Sequence, residues 1–163
     1  MVTRICFVCL GNIVRSPLAE NLFRHHAERT GAADRYVVDS AGTSAWHLGE
    51  RPDARMRRVA KRRGLVYDGR ARQFKSSDLD EFDLIVAMDL ENADDLHRMA
   101  RTIDQSDKIQ LMRAFDPQAG ADLSVPDPYY GGIDGFEVVY EIVERSVLGL
   151  LEELKHSDLE SKR

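Results

Sequence analysis

Residues 4–17 read RICFVCLGNIVRSP, an apolar run that passes through a short loop into the start of a helix. The nearly continuous hydrophobic character of residues 4–8 is typical of a strand buried on both faces of a parallel sheet. In the loop, Gly11 permits backbone angles that other residues resist, and Asn12 is one of the few residue types that tolerate a left-handed conformation. Ser16 followed by Pro17 offers a helix N-cap with proline at the first helical position. This stretch predicts a strand, a tight loop and a helix in direct succession.

The rest of the chain repeats the alternation of strand and helix. Strands are predicted at residues 4–8, 36–40, 83–88 and 108–112. Helices are predicted at residues 17–30, 53–63, 90–100 and 136–154. The pattern predicts a single three-layer α/β domain over residues 1–155, with a four-stranded, parallel, twisted sheet between two layers of helices. Residues 156–163 are predicted to form a polar C-terminal tail.

The composition excludes or disfavours several classes of protein. The 163 residues carry a formal net charge of −5 and only two cysteines, Cys6 and Cys9. A disulfide scaffold is excluded, no apolar run approaches the length of a membrane span, and the acidic balance disfavours a general nucleic-acid binder. Residues after Met1 lack a signal-peptide pattern. We therefore expect a cytoplasmic monomer with no membrane or nucleic-acid partner.

Basic residues concentrate in one part of this acidic chain. Residues 51–75 contain ten lysines and arginines: Arg51, Arg55, Arg57, Arg58, Lys61, Arg62, Arg63, Arg70, Arg72 and Lys75. One interpretation is an ordinary solvated helix face. The other is a local positive field that attracts anionic substrates, in particular acidic peptides.

The loop after the first strand has the residues of an oxyanion site. In a parallel sheet, ligands bind beyond the carboxyl ends of the strands, which is where Cys9 stands. Backbone N–H groups at a helix N-terminus favour both a bound oxyanion and the thiolate form of Cys9. Arg15 would add a planar fork that matches two phosphate oxygens. Catalysis is assigned to Cys9 and Arg15, and substrate binding to Leu10, Gly11, Asn12, Ile13, Val14 and Ser16. The hydroxyl of Ser16 has two predicted roles, which are compatible: it caps the helix, or it donates a hydrogen bond to the sulfur of Cys9.

A thiolate that attacks a phosphate ester needs a general acid for the leaving oxygen. Residues 125–131 read VPDPYYG, and the prolines on both sides restrict the movement of Asp127. Tyr129 and Tyr130 are suited to an aromatic wall for the substrate. The motif alone is equally compatible with a surface turn, but together with the Cys9 loop it predicts that Asp127 is the acid.

At this point the motifs match a known family. Residues 9–17 (CLGNIVRSP), residues 39–43 (DSAGT), Trp46, residues 88–89 (MD) and residues 127–131 (DPYYG) resemble the low-molecular-weight protein tyrosine phosphatases. The resemblance extends to about Leu154, with the motifs in the family's order.

The resemblance implies a fold, a reaction and roles for individual residues. It implies a four-stranded parallel sheet and hydrolysis of phosphotyrosine through a phosphocysteine, with no metal or cofactor. Cys9 would be the nucleophile, Arg15 the phosphate ligand, and Asp127 first the acid and then the base. The substrates would be tyrosine-phosphorylated proteins or peptides. The substrate groove would include Trp46, Tyr129 and Leu10, while Ser40, Asn12 and Asp89 would support the loop.

Two positions depart from the family. Val14 stands where many members have a second cysteine that protects the oxidised nucleophile as a disulfide. Gly69 stands where some members have a histidine that helps to brace the loop. The resemblance therefore implies altered redox protection and altered support of the loop in this chain.

Three other functions are weighed against a phosphatase. A thiol-dependent arsenate reductase uses a similar loop but needs cysteines further along the chain. A phosphotyrosine-binding module without catalysis would not require Cys9, Arg15 and Asp127 together. A nucleotide-binding loop would end in Gly-Lys followed by Ser or Thr, whereas this loop ends in residues 15–17 (RSP).

Cys6 is predicted to be a buried apolar residue that cannot protect Cys9. Three residues along a strand separate two Cα atoms by about 9–10 Å. A disulfide requires a separation of less than ~7 Å. We expect mild peroxide to oxidise Cys9 without forming a Cys6–Cys9 disulfide. Detection of that disulfide by mass spectrometry of the unreduced, proteolysed protein would contradict the prediction.

Overall fold

The computed structural model describes residues 2–129 and 131–161 of the chain. Its strands are β1 (Thr3–Cys9), β2 (Tyr36–Gly42), β3 (Leu84–Ala87) and β4 (Ile109–Leu111). Its helices are α1 (Arg15–Arg29), α2 (Ala54–Arg62), α3 (Asp78–Glu81), α4 (Leu90–Met99), α5 (Ile103–Asp107) and α6 (Ile133–Ser161). Short 3₁₀ turns cover Ala33–Arg35 and Met112–Phe115.

The four strands form one parallel sheet in the order β2-β1-β3-β4, which confirms the predicted fold class. Strand β1 lies between β2 and β3. The chain runs from β1 to β2 on one side of β1 and later to β3 on its other side. The two connections diverge beyond the end of β1, which opens a crevice there. Cys9 ends β1 at this crevice.

Alternate side chains of β1 divide the core into two layers. Ile5, Phe7 and Cys9 belong to the larger cluster, which contains buried residues of α1, α2 and α6. Cys6 and Val8 belong to the smaller cluster, which includes buried residues of α4. Cys6 and Cys9 therefore lie on opposite faces of the sheet, both as free thiols.

The start of α1 differs from the sequence-based prediction. Ser16 was expected to cap the helix, but α1 begins at Arg15 and the capping position is Val14, which makes no side-chain cap. The hydroxyl of Ser16 instead lies 3.0 Å from the sulfur of Cys9. Of the two roles predicted for Ser16, the N-cap is thus wrong, whereas its hydroxyl does contact the sulfur of Cys9.

The end of the chain also differs from expectation. Helix α6 continues through residues 156–161, which were expected to form a tail. Residues 150–163 contain no glycine or proline and are rich in glutamate, lysine and leucine, which favour the helix. The domain boundary near residue 155 stays a prediction. Among the described residues, no helix is both long and apolar enough to span a membrane.

Gly149 allows α6 to pack against the turn Met112–Phe115. A Cβ atom at position 149 would lie 1.9 Å from the carbonyl oxygen of Phe115. Gly135 lies in the same helix, but a Cβ atom there would make only an ordinary contact, 3.6 Å from the Cβ of Pro128.

We predict opposite effects of alanine at these two glycines. Gly149→Ala forces the helix and the turn apart and should lower the free energy of unfolding by about 1–3 kcal/mol. Gly135→Ala removes backbone freedom from the unfolded chain and should be neutral or stabilising by up to about 1 kcal/mol. Urea denaturation of both variants measures the difference. Equal stabilities would contradict this account of the α6 packing.

Candidate active site

The loop between β1 and α1 is shaped by one residue in a left-handed conformation. Asn12 has φ +57°, and among the described residues it is the one non-glycine with positive φ. Asparagine tolerates this region better than most residues, as the sequence analysis predicted. The bend turns the backbone N–H of Asn12 toward the sulfur of Cys9, at 3.3 Å.

Carbonyl groups of this loop point away from the site because other elements bind them. The carbonyl of Cys9 accepts from the N–H of Thr43 at 2.9 Å, and that of Leu10 accepts from Ser44 N–H at 3.0 Å. The carbonyl of Ile13 accepts from Asp53 N–H at 2.7 Å. Within the described chain, the N–H groups of Gly11, Ile13 and Val14 have no acceptor. Such N–H groups are available to an oxyanion.

Tyr67 is a support of the loop that the sequence analysis missed. Its hydroxyl lies 3.1 Å from the carbonyl oxygen of Val14 and 3.3 Å from that of Ile13. Burial raises the pKa of Tyr67 well above its ordinary value, so the hydroxyl keeps its proton and remains a donor. Nothing in the local pattern around residue 67 indicated a contact with a loop more than fifty residues earlier.

The side chain of Asn12 connects the loop to the sheet behind it. Its amide nitrogen donates to the hydroxyls of Ser16 at 2.8 Å and of Ser40 at 3.0 Å. Its amide oxygen accepts from the backbone N–H of Arg72 at 3.0 Å. Ser40 donates in turn to the carboxylate of Glu20 at 2.6 Å.

These bonds determine the direction in which the Ser16 proton points. Because Asn12 donates to the Ser16 oxygen, the hydroxyl proton of Ser16 remains for another acceptor. The sulfur of Cys9 lies at 3.0 Å and the carbonyl oxygen of Ala41 at 3.4 Å. The closer sulfur, when ionised, is the stronger acceptor. Ser16 is therefore positioned to donate its hydroxyl proton to the sulfur of Cys9.

Two glycines allow the loop to pack closely, for steric reasons. Gly11 was expected to supply unusual backbone angles, but its φ is not positive. A Cβ atom on Gly11 would lie 3.0 Å from the ring of His47. A Cβ atom on Gly42 would lie 2.8 Å from the carbonyl oxygen of Leu10. The DSAGT motif thus contains a glycine because the end of β2 touches the loop backbone.

Arg15 is buried beneath the mouth of the site, with 2% of its surface exposed. Its guanidinium donates to Asp89 at 2.7 Å and to the carbonyl of Val125 at 3.0 Å, and lies 3.5 Å from Asp127. Burial lowers the pKa of Arg15, but the negative charge of Cys9 and the bond to Asp89 raise it above its ordinary value. The cation is thus held charged and fixed next to Cys9.

Asp89 and Asp127 differ in how firmly they are held. Asp89 caps α4 by accepting from the N–H of Asn92 at 2.8 Å, and its other oxygen binds Arg15. Asp127 accepts from the N–H of Tyr129 at 3.1 Å, and its side chain is 40% exposed. Asp89 is therefore held on both of its oxygens, whereas Asp127 reaches the solvent at the mouth of the site.

The pocket above the loop contains most of the residues predicted to bind substrate. It is lined by Cys9, Leu10, Gly11, Ile13, Val14, Arg15, Trp46, His47, Asp127 and Tyr129. Asn12 and Ser16 do not line it, because their side chains support the loop from behind. The prediction for Tyr130 lies outside the described residues. Trp46 is 75% exposed, at the rim of the pocket.

His47 lines the pocket although the sequence analysis assigned it no role. Its Nδ1 bonds to Glu50, and its ring centroid lies 5.9 Å from that of Tyr129. Its position next to Trp46 was the one available signal.

In the described part of the chain, no group of three or more His, Cys, Asp or Glu side chains is arranged to hold a metal ion.

Comparisons with known proteins agree with this geometry. The family model of the low molecular weight phosphotyrosine protein phosphatases matches residues 4–160. A low molecular weight protein-tyrosine-phosphatase of Streptomyces coelicolor is 48% identical over 152 residues, which is 93% of each chain.

Solved structures show the same fold. A protein tyrosine phosphatase from Entamoeba histolytica with Hepes in its active site is 38% identical with a TM-score of 0.91, over 96% of this chain and 99% of that one. A Drosophila arginine phosphatase is 34% identical with a TM-score of 0.86, over 93% of this chain and 97% of that one. The chain belongs to the low-molecular-weight phosphotyrosine protein phosphatase family.

Proposed function

We propose that the protein hydrolyses phosphotyrosine monoesters through a phosphocysteine formed on Cys9. The observation that carries this proposal is the arrangement at the loop. The sulfur of Cys9 accepts hydrogen bonds from Asn12 N–H and Ser16, while Arg15 and Asp127 stand at the same pocket. This arrangement combines an activated nucleophile, an oxyanion site and a proton donor.

In the first step the thiolate of Cys9 attacks the phosphorus of the ester. The S–P bond forms as the P–O bond to the phenol breaks, and Asp127 gives its proton to the departing oxygen. The N–H groups of Gly11, Ile13 and Val14, with the guanidinium of Arg15, receive the charge on the equatorial phosphoryl oxygens. Arg15 must be pre-organised for this, and its bonds to Asp89 and Val125 hold it.

In the second step water replaces the sulfur. Asp127, now a carboxylate, takes a proton from the attacking water, the S–P bond breaks, and inorganic phosphate leaves. The hydroxyl of Ser16 donates to the sulfur as it becomes a thiolate again, which makes it a better leaving group. The exposure of Asp127 allows water to reach it.

The lining of the pocket favours an aromatic ester. Leu10, Ile13 and Val14 supply apolar surface, and Trp46 and Tyr129 supply aromatic surface. An aromatic contact adds about 0.5–1.5 kcal/mol beyond the burial of its area. The arginine phosphatase among the related structures makes phosphoarginine a necessary competitor in any substrate test.

The other functions find less support in the chain. An arsenate reductase of the thiol-dependent kind needs further cysteines, and this chain has none after Cys9. A binding module has no use for a proton donor at the mouth of its pocket. We further propose that the protein acts on tyrosine-phosphorylated proteins in the reducing cytoplasm, because the mechanism requires a free thiol. We also propose that it is a monomer and that it acts independently of nucleic acid and membrane.

We predict that two substitutions affect the reaction differently. Cys9→Ser should abolish hydrolysis of phosphotyrosine peptides, because no thiolate remains to form the intermediate. Asp127→Ala should lower kcat by about 100-fold or more, since the leaving group receives no proton. Steady-state phosphate release from phosphotyrosine, phosphoserine and phosphoarginine substrates measures both effects, and phosphotyrosine should be hydrolysed fastest.

Two matched control variants distinguish the loss of a catalytic group from a loss of stability. Cys6→Ala changes the thiol on the opposite face of the sheet, and Asp122→Ala removes an exposed carboxylate that binds Ser124 N–H in the same loop as Asp127. Both should keep nearly full activity. Full activity of Cys9→Ser would disprove the mechanism, and faster hydrolysis of phosphoarginine would disprove the substrate class.

A further inference from the structure

Some basic side chains of α2 are bound by other groups of the protein, and others are not. Arg55 pairs with Asp53 at 3.0 Å, and Arg62 pairs with Glu137 at 2.6 Å. Arg57 donates to the backbone carbonyl of Pro52. The side chains of Arg58 and Lys61 are exposed and have neither a hydrogen bond nor an ion pair with any described residue. Three of the cations of α2 are thus bound within the protein, whereas Arg58 and Lys61 face solvent.

These two cations border a shallow groove between α2 and the start of α6. We name it the α2–α6 groove, and its lining residues are Arg58, Lys61, Arg62 and Ile133. Ile133 is 42% exposed, so the groove has an apolar part beside its positive edge. The aliphatic stems of arginine and lysine add to that apolar surface.

The α2–α6 groove continues from the rim of the active site. The guanidinium of Arg55 lies 5.4 Å from the ring centroid of Tyr129, which lines the catalytic pocket, and 4.5 Å from that of Phe136 in α6. Arg55, Arg58 and Arg62 follow each other at helical spacing along one side of α2. Seven residues of helix extend over ~10 Å, a length that about three residues of extended peptide would cover.

We propose that the α2–α6 groove binds an acidic segment of the substrate polypeptide, about two to four residues from the phosphotyrosine. This inference rests on the proposed function. Carboxylates of the substrate would pair with Arg58 and Lys61, and an apolar side chain would lie on Ile133. The field is local, because the chain as a whole carries a net charge of −5 and would repel an acidic peptide elsewhere.

The test compares phosphotyrosine peptides that differ only in charge. One series places two glutamates, or two glutamines, at the second to fourth positions after the phosphotyrosine, and a second series places them before it. The wild-type kcat/KM should favour the glutamate peptide by about 2- to 10-fold in one of the series, as expected for two exposed ion pairs. The preference should fall as salt is added.

A double variant assigns the preference to the groove. Arg58→Gln with Lys61→Gln should bring the ratio of kcat/KM for the two peptides close to one. Arg29→Gln with Lys155→Gln is the matched control, because it removes the same charge at the ends of α1 and α6. Asp158 of α6 lies 4.0 Å from Arg35, just before the start of β2, so this end of α6 is near the amino ends of the strands, away from the pocket beyond their carboxyl ends.

Each outcome separates this inference from the proposed function. No wild-type preference in either series would overturn the inference, as would an equal loss of preference in the two double variants. Normal hydrolysis of the glutamine peptides in those cases would leave the tyrosine phosphatase proposal intact. Failure to hydrolyse p-nitrophenyl phosphate and every phosphotyrosine peptide would instead overturn the proposed function.

Discussion

The site depends on the outward binding of the carbonyl groups in the loop after β1. Thr43 and Ser44 hold the carbonyls of Cys9 and Leu10, while Asp53 and Tyr67 hold those of Ile13 and Val14. A backbone whose carbonyls are bound on its outer side presents its N–H groups inward, where an oxyanion can bind. Residues just after β2 and just before α2 thus shape the loop around Cys9 without lining the pocket.

A second set of contacts fixes the guanidinium of Arg15 at the site. Arg15 joins the loop to Asp89 at the end of β3 and to Val125, whose N–H binds the carbonyl of Met88. The same arginine lies 3.5 Å from Asp127, so residues 125–127 contact it at two points. Movement of residues 125–127 would disturb both steps of the proposed reaction together.

The sequence was sufficient for the parts of the structure that follow local rules. The hydrophobic runs predicted all four strands, and the residue type of Asn12 predicted its left-handed bend. For Ser16 the local pattern left two roles open, because a serine before proline fits a helix cap, and the structure places its hydroxyl against the sulfur of Cys9 instead. Tyr67 and Arg72 were missed because they contact the loop across more than fifty residues, a separation that periodicity does not encode.

The central claim is that the phosphoryl group passes through the sulfur of Cys9. Rapid acid quench of the wild-type enzyme during turnover of a phosphotyrosine peptide, followed by mass spectrometry of the proteolysed protein, tests it most directly. The account predicts one phosphoryl group on the peptide that contains Cys9, absent when the substrate is omitted. A phosphoryl group on another residue, or rapid turnover with none on Cys9, would contradict it.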